Sequence, residues 1–196
     1  MDFFIIYIVL FMSIFIHELG HYVTSKIFKV PVYQFSIGVG PKVFSVFMNG
    51  TEFEVRIFPL GGYIYNDEAE YNSLNLLKIY SICLSGVIVN FIAFFLSLLV
   101  ALNCDFNLLQ KTINHIYLII TQSIRRIDMK SIYILQNSIS NLLYPIKGLS
   151  FLFAMIIVNL TLALTNLLPF SSLDGNKVWV ATIERLLQKL KLKGFS

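Results

Sequence analysis

Between Phe3 and Ser25 the only formal charge is Glu18, and it sits inside the pentapeptide His17-Glu18-Leu19-Gly20-His21. As a helix rising 1.5 Å per residue this run is about 35 Å long, enough to cross a bilayer. One ionisable residue at a span centre costs roughly 2.5–3.5 kcal/mol by insertion scales, so two histidines and a glutamate in a single span require partners. His17 and His21 are one turn apart on one face, and their imidazoles converge on a point, as zinc requires of two ligands. Glu18 is rotated off that face, where it can take a proton from water without ligating the metal. Zinc supplies the missing partner, since structural zinc sites return on the order of 10 kcal/mol. Ser13, His17, Gly20, His21 and Thr24 form a small and polar stripe that is expected to face protein, not lipid.

The rest of the chain supports a membrane setting. Of 196 residues 57% are hydrophobic and 13% charged, with a mean hydropathy of +0.75, which describes an integral membrane protein. The net charge of +4 and pI near 9.0 come from bases that flank apolar runs. They read as positive-inside signals and contacts to membrane lipids, with no nucleic-acid partner. Cys83 falls inside a span and Cys104 at its end, without a CxxC, so neither a disulfide framework nor a cysteine metal site is expected. Met-Asp-Phe-Phe opens the chain without a basic region, and no removable signal peptide is expected.

After Lys29 the texture changes to a period of two, in VYQFSIGVG, PKVFSVFM, TEFEVRIF and PLGGYI. Thr51, Phe53, Val55 and Ile57 point one way and Glu52, Glu54 and Arg56 the other, while Asn49-Gly50 is a strong hairpin turn signal. A small sheet over about 32–65 is predicted, followed by a solvated loop at Asn66–Glu70. The uncharged run from Ile79 to Asn103 predicts a second span, with Cys83, Gly86, Asn90, Ala93 and Ser97 on one face. Asn90 reads there as interhelical glue ahead of a catalytic group. Residues 104–147 are mixed; LLQKTINHIYLII suits an interfacial amphipathic helix, and the lone His115 reads as a surface residue. Residues 148–170 form the third expected span, broken by Pro169, in which Met155, Asn159, Ala163 and Asn166 share a face.

A catalytic zinc takes three protein ligands, so the histidines need one more, from Asp174 or Glu184. Trp179, Ile183, Leu186, Leu187 and Leu190 oppose Arg185, Lys189, Lys191 and Lys193 in an amphipathic tail helix expected to lie on the membrane. Glu184 belongs to that polar face, which makes Asp174 the better ligand. Ten bases fall on the side of the sheet and tail against five in the second loop, placing the N-terminus outside and the C-terminus in the cytosol.

Several of these stretches resemble the site-2 protease family of intramembrane zinc metalloproteases, in its bacterial branch. FIHELGH resembles the family's first-span zinc motif, FSIGVGP and TEFEVRIFPLGGYI the segment after it, LSGVIVNF its second-span Gly and Asn, and VNLTLALTNLLPFSSLDG its final motif. The resemblance implies zinc ligands His17, His21 and Asp174, general base Glu18, Asn166 as a substrate or oxyanion contact, and Asn90, Gly61 and Gly62 as substrate-binding positions. It also implies that the segment Val32 to Tyr65 is a membrane-re-entrant β-loop. The pattern departs from the family in three places: no PDZ domain lies between the second and third spans, FSSLDGN replaces the usual second proline and double glycine, and no further span follows.

The expected protein is thus a mainly α membrane protein, a single domain of three transmembrane helices (about 3–25, 79–103 and 148–170) with a small β-hairpin sheet between the first two and an amphipathic C-terminal helix. The expected activity is zinc-dependent hydrolysis of peptide bonds in or near transmembrane segments, with single-span membrane proteins as substrates in a bacterial inner or plasma membrane. An edge strand of the sheet would pair with an unwound substrate, which needs backbone partners inside a bilayer. The alternative is a zinc-binding membrane protein without proteolysis, either a metal carrier or an inactive relative.

Overall fold

The structure is a computed structural model and describes residues 3–102, 114, 150–171 and 173–193. Its elements in chain order are α1 (Phe3–Ile27), β1 (Val32–Met48), β2 (Thr51–Asn66), α2 (Glu68–Ser73), α3 (Leu76–Ala101), α4 (Ser150–Asn166) and α5 (Asp174–Lys193). The fold is mainly helical, with one antiparallel pair of strands. The expected amphipathic helix within 104–147, His115 and Cys104 lie outside the described residues.

Helices α1 and α3, of 25 and 26 residues, are long and apolar enough to cross a membrane. The third expected span differs. Its described helix, α4, has 17 residues and is about 25 Å long, short of a hydrocarbon core of about 30 Å. α3 begins three residues before the expected span because Asn75 caps it, its side chain accepting from the Lys78 N–H at 3.0 Å. The expected solvated loop at 66–70 is instead the start of α2. Asp67 accepts from the Glu70 N–H at 2.9 Å, and Glu68 and Glu70 lie in a first turn whose dipole favours negative charge.

The hairpin turns at Asn49 and Gly50, both at positive φ (51° and 78°), as the Asn-Gly signal predicts. Each long strand is used twice. Gln34 to Ile37 pair with Tyr65 to Gly62 on one side and with Glu52 to Val55 on the other, while Phe44 to Met48 pair back onto Val55 to Thr51. The segment 51–55 is therefore interior, and 62–65 and 44–48 are the edges. Gly38 and Gly40 (φ 85° and 89°) bend β1 between its two halves; a Cβ at Gly38 would meet the Arg56 and Phe58 carbonyls at 2.8 Å.

One sheet face carries Phe35, Ile37, Phe53, Val55 and Ile64 against Phe11, Ile14, Leu19 and Tyr22 of α1. The alternation in TEFEVRIF puts Glu54 and Arg56 on the other face, where Arg56 and Lys42 pair with the buried Glu54 carboxylate. The predicted stripe of α1 is turned inward: Ser13, His17, Gly20 and His21 are buried, whereas Met12, Phe15 and Val23 are exposed. Gly20 lets α3 approach, since a Cβ there would lie 2.9 Å from the Ser85 carbonyl oxygen. Asn159 of α4 donates to Ser13 Oγ of α1 at 3.0 Å, and Phe94, Leu98, Leu102 and Ile156 pack α4 onto α3. α5 docks on the start of α3 through the Tyr80 and Thr182 hydroxyls, 2.7 Å apart, and through Arg185, which donates to the Leu74 carbonyl at 2.7 Å. Trp179, Ile183, Leu186 and Leu187 of α5 remain exposed.

Candidate metal centre

Two chain segments distant in sequence meet at one buried point. His17 and His21 project from α1, and Asp174 opens α5 after the break at Pro169. Asp174 Oδ2 lies 3.0 Å from His17 Nε2 and 3.0 Å from His21 Nε2, and the two imidazole nitrogens are 3.2 Å apart. Tetrahedral zinc with bonds of about 2.0–2.1 Å separates its ligand atoms by roughly 3.3 Å. The triangle has nearly that size. His17, His21 and Asp174 are the His, Cys, Asp or Glu cluster of metal-binding geometry among the described residues.

The outer contacts fit the same group. His21 Nδ1 is 2.7 Å from the Ile82 carbonyl, which can only accept. The ring proton is therefore on Nδ1, and Nε2 turns its lone pair toward the cluster, the tautomer a metal ligand needs. His17 Nδ1 faces the Asn90 carboxamide, whose Nδ2 is 3.1 Å away and whose buried Oδ1 has no partner. A half-turn of that carboxamide gives Oδ1 the His17 Nδ1–H and frees His17 Nε2 in the same way. Gly86 of α3 forms the floor: a Cβ there would stand 2.5 Å from His21 Nε2 and 2.8 Å from His17 Nε2. Asp174 reaches inward because Gly175 lets the start of α5 press against the carbonyls of Leu167 and Leu168.

Glu18 is buried beside this cluster, and Gly62 of β2 packs on it, with a would-be Cβ 2.7 Å from Glu18 Cγ. Gly61, by contrast, faces open space. Asn166 ends α4 half-buried, and among the described residues no hydrogen bond ties its side chain to the cluster. Glu184 lies on α5 in the wall of a cavity of about 960 Å³ that reaches His21 and is also lined by Tyr71, Cys83, Lys177 and Arg185. One contributor is not evident in the sequence alone: Lys177, 3.0 Å from Asp174 Oδ1, is there one of many bases. Gly86 is the second-span Gly of LSGVIVNF, and its closeness to both imidazoles is what the fold adds.

A buried His-Glu-x-x-His helix joined by a distant aspartate, between membrane-capable helices, defines a metallopeptidase type of centre. A family model for peptidase family M50 matches residues 5–195, and the chain belongs to that family. A Fusobacterium nucleatum protein named "Putative zinc metalloprotease" is 39% identical over 108 residues, covering 51% of this chain and 32% of its own length. Zinc metalloprotease RasP of Geobacillus kaustophilus is 45% identical over 51 residues, 26% of this chain and 12% of its own. RasP of Shouchella clausii is 41% identical over a stretch of the same length, with the same coverage. The chain thus spans at most about a third of the length of these relatives.

Proposed function

We propose that the chain is a zinc-dependent intramembrane endopeptidase that hydrolyses peptide bonds in or near the transmembrane segments of single-span membrane proteins. The observation that carries this reading is the triangle of His17, His21 and Asp174 with Glu18 buried at its side. Family membership and the names of the relatives agree with it. Zinc held by His17, His21 and Asp174 would supply a Lewis acid for the scissile carbonyl and would acidify water.

The protein's own groups supply the rest. Glu18 takes the proton from the attacking water and can return it to the leaving amine. Gly62 lets β2 pack directly on Glu18, where a side chain would collide with the carboxylate, and so keeps this strand beside the base. A substrate helix hides its carbonyls and must unwind, and inside a bilayer the freed N–H and C=O groups need partners. The edge at 62–65 offers them by strand addition beside Glu18. Asn166 donates to the developing oxyanion once substrate is present.

The setting we propose is a bacterial inner or plasma membrane with α1, α3 and a third span containing α4, the N-terminus outside and the sheet and α5 in the cytosol. The ten-to-five excess of bases supports this. The docking of α5 against Leu74 and Tyr80, at the end of α3 that follows the sheet in the chain, is also in keeping with it. The exposed apolar residues of α5 suit a place at the membrane interface.

The test compares wild type with Glu18→Gln, Asp174→Ala and Glu184→Ala, each purified, assayed for zinc and reconstituted with a helical membrane substrate. Glu18→Gln keeps size and one acceptor, so metal content stays near wild type while cleavage falls by about 10²–10⁴. Asp174→Ala loses metal and activity; Glu184→Ala keeps metal. Zinc bound with no cleavage by wild type, or metal lost only in Glu184→Ala, would refute the reading.

A further inference from the structure

The two oxygens of Asp174 have separate partners. Oδ2 faces both imidazoles at 3.0 Å, and Oδ1 is 3.0 Å from Lys177 Nζ, one turn further along α5. We infer that Lys177 is a positioning residue that restricts Asp174 to a single-oxygen contact with the metal and so keeps one coordination position free for water. The inference rests on the zinc reading of His17, His21 and Asp174.

A carboxylate whose second oxygen is unengaged can rotate about its Cβ–Cγ bond and chelate through both oxygens. Three protein ligands leave tetrahedral zinc one open position, and a chelating aspartate would take it. An ammonium on Oδ1 opposes that rotation by a charge-assisted hydrogen bond, which the rotated carboxylate would lose. The backbone cannot compensate, because Gly175 holds the start of α5 against Leu167 and Leu168. An i,i+3 pair on an exposed helix is worth little. This one differs because its acid is buried in the cluster, while Lys177 stands at the rim of the cavity that reaches His21. Arg185, in the same wall, is already engaged with the Leu74 carbonyl, so among the described residues Lys177 is the cation in contact with Asp174.

The test uses the full chain in detergent, with zinc affinity read by chelator competition and coordination read from the visible spectrum of the cobalt(II)-loaded protein. Lys177→Met should hold zinc at least as tightly as wild type, because the freed Oδ1 adds a donor and none is removed. Its cobalt band should lose intensity as the coordination number rises above four. Lys177→Arg should restore the wild-type band, and Lys177→Gln decides the matter if the Met variant does not fold. A wild-type band in Lys177→Met, weaker zinc binding by that variant, or a loss of intensity that Arg does not rescue would overturn the inference. Failure of wild type to bind either metal would instead sink the zinc reading itself.

Discussion

Gly86 on α3 lies so close beneath His21 on α1 that a methyl group at position 86 would stand 2.5 Å from His21 Nε2. The contact is with rings held from behind by Ile82 and Asn90, so neither can swing away at low cost. Gly86→Ala should therefore push the helices apart, at a cost on the order of 1–3 kcal/mol for overpacking, and displace Nε2 from the triangle. Purified Gly86→Ala should carry well under one zinc per chain. Full zinc content would mean that α3 can retreat without moving the histidines.

The Asn90 carboxamide is fully buried against His17, and its oxygen, which has no partner, meets the His17 Nδ1–H after a half-turn of the group. Leucine of similar size at this position leaves the His17 Nδ1–H unpaired, whereas aspartate keeps an acceptor. Zinc affinity should fall about 10–100-fold in Asn90→Leu and recover in Asn90→Asp. Equal affinities in wild type and Asn90→Leu would return Asn90 to the role of interhelical glue.

What was legible in the sequence was whatever a short window carries. His17, Glu18 and His21 share one helix turn, and the Asn49-Gly50 hairpin is written in adjacent letters. Asp174 could be preferred over Glu184 because Pro169 ends a helix nearby and Glu184 falls on a polar helix face. Contacts across the chain left no such trace. The floor at Gly86 and the tie from Asn159 to Ser13 depend on how α1, α3 and α4 cross. The four-segment pairing depends on where Gly38 and Gly40 bend β1. The missed α2 was readable in principle, since Asp67 with Glu70 three residues later is an N-cap pattern, but acidic residues alone suggested only solvent.

The proposed orientation makes a labelling prediction. Single cysteines at Asn49 and Ser131, in a chain lacking Cys83 and Cys104, should differ toward an impermeant thiol reagent applied to intact cells. Position 131 should label and position 49 should not. Preferential labelling at 49 would invert the topology and place the sheet outside.

Strand addition predicts that the two edges of the sheet are not equivalent. Val55 is a poor place to probe the idea, because it pairs with both Ile37 and Phe44, and proline there would break the interior of the sheet. The edge at 62–65 runs past Glu18, while the edge at 44–48 leads to the exposed hairpin tip. Successive N–H groups along a strand point to opposite sides, so of Tyr63 and Ile64 one donates toward β1 and the other toward the free edge. Proline at the outward-facing position removes one hydrogen bond to substrate, worth about 0.5–1.5 kcal/mol, and should raise KM for a helical substrate roughly 2- to 13-fold with zinc retained. Phe47→Pro, on the remote edge, should leave KM and zinc unchanged. An effect confined to Phe47→Pro would move substrate docking to the other edge. Unchanged KM in both proline variants would remove strand addition from the mechanism.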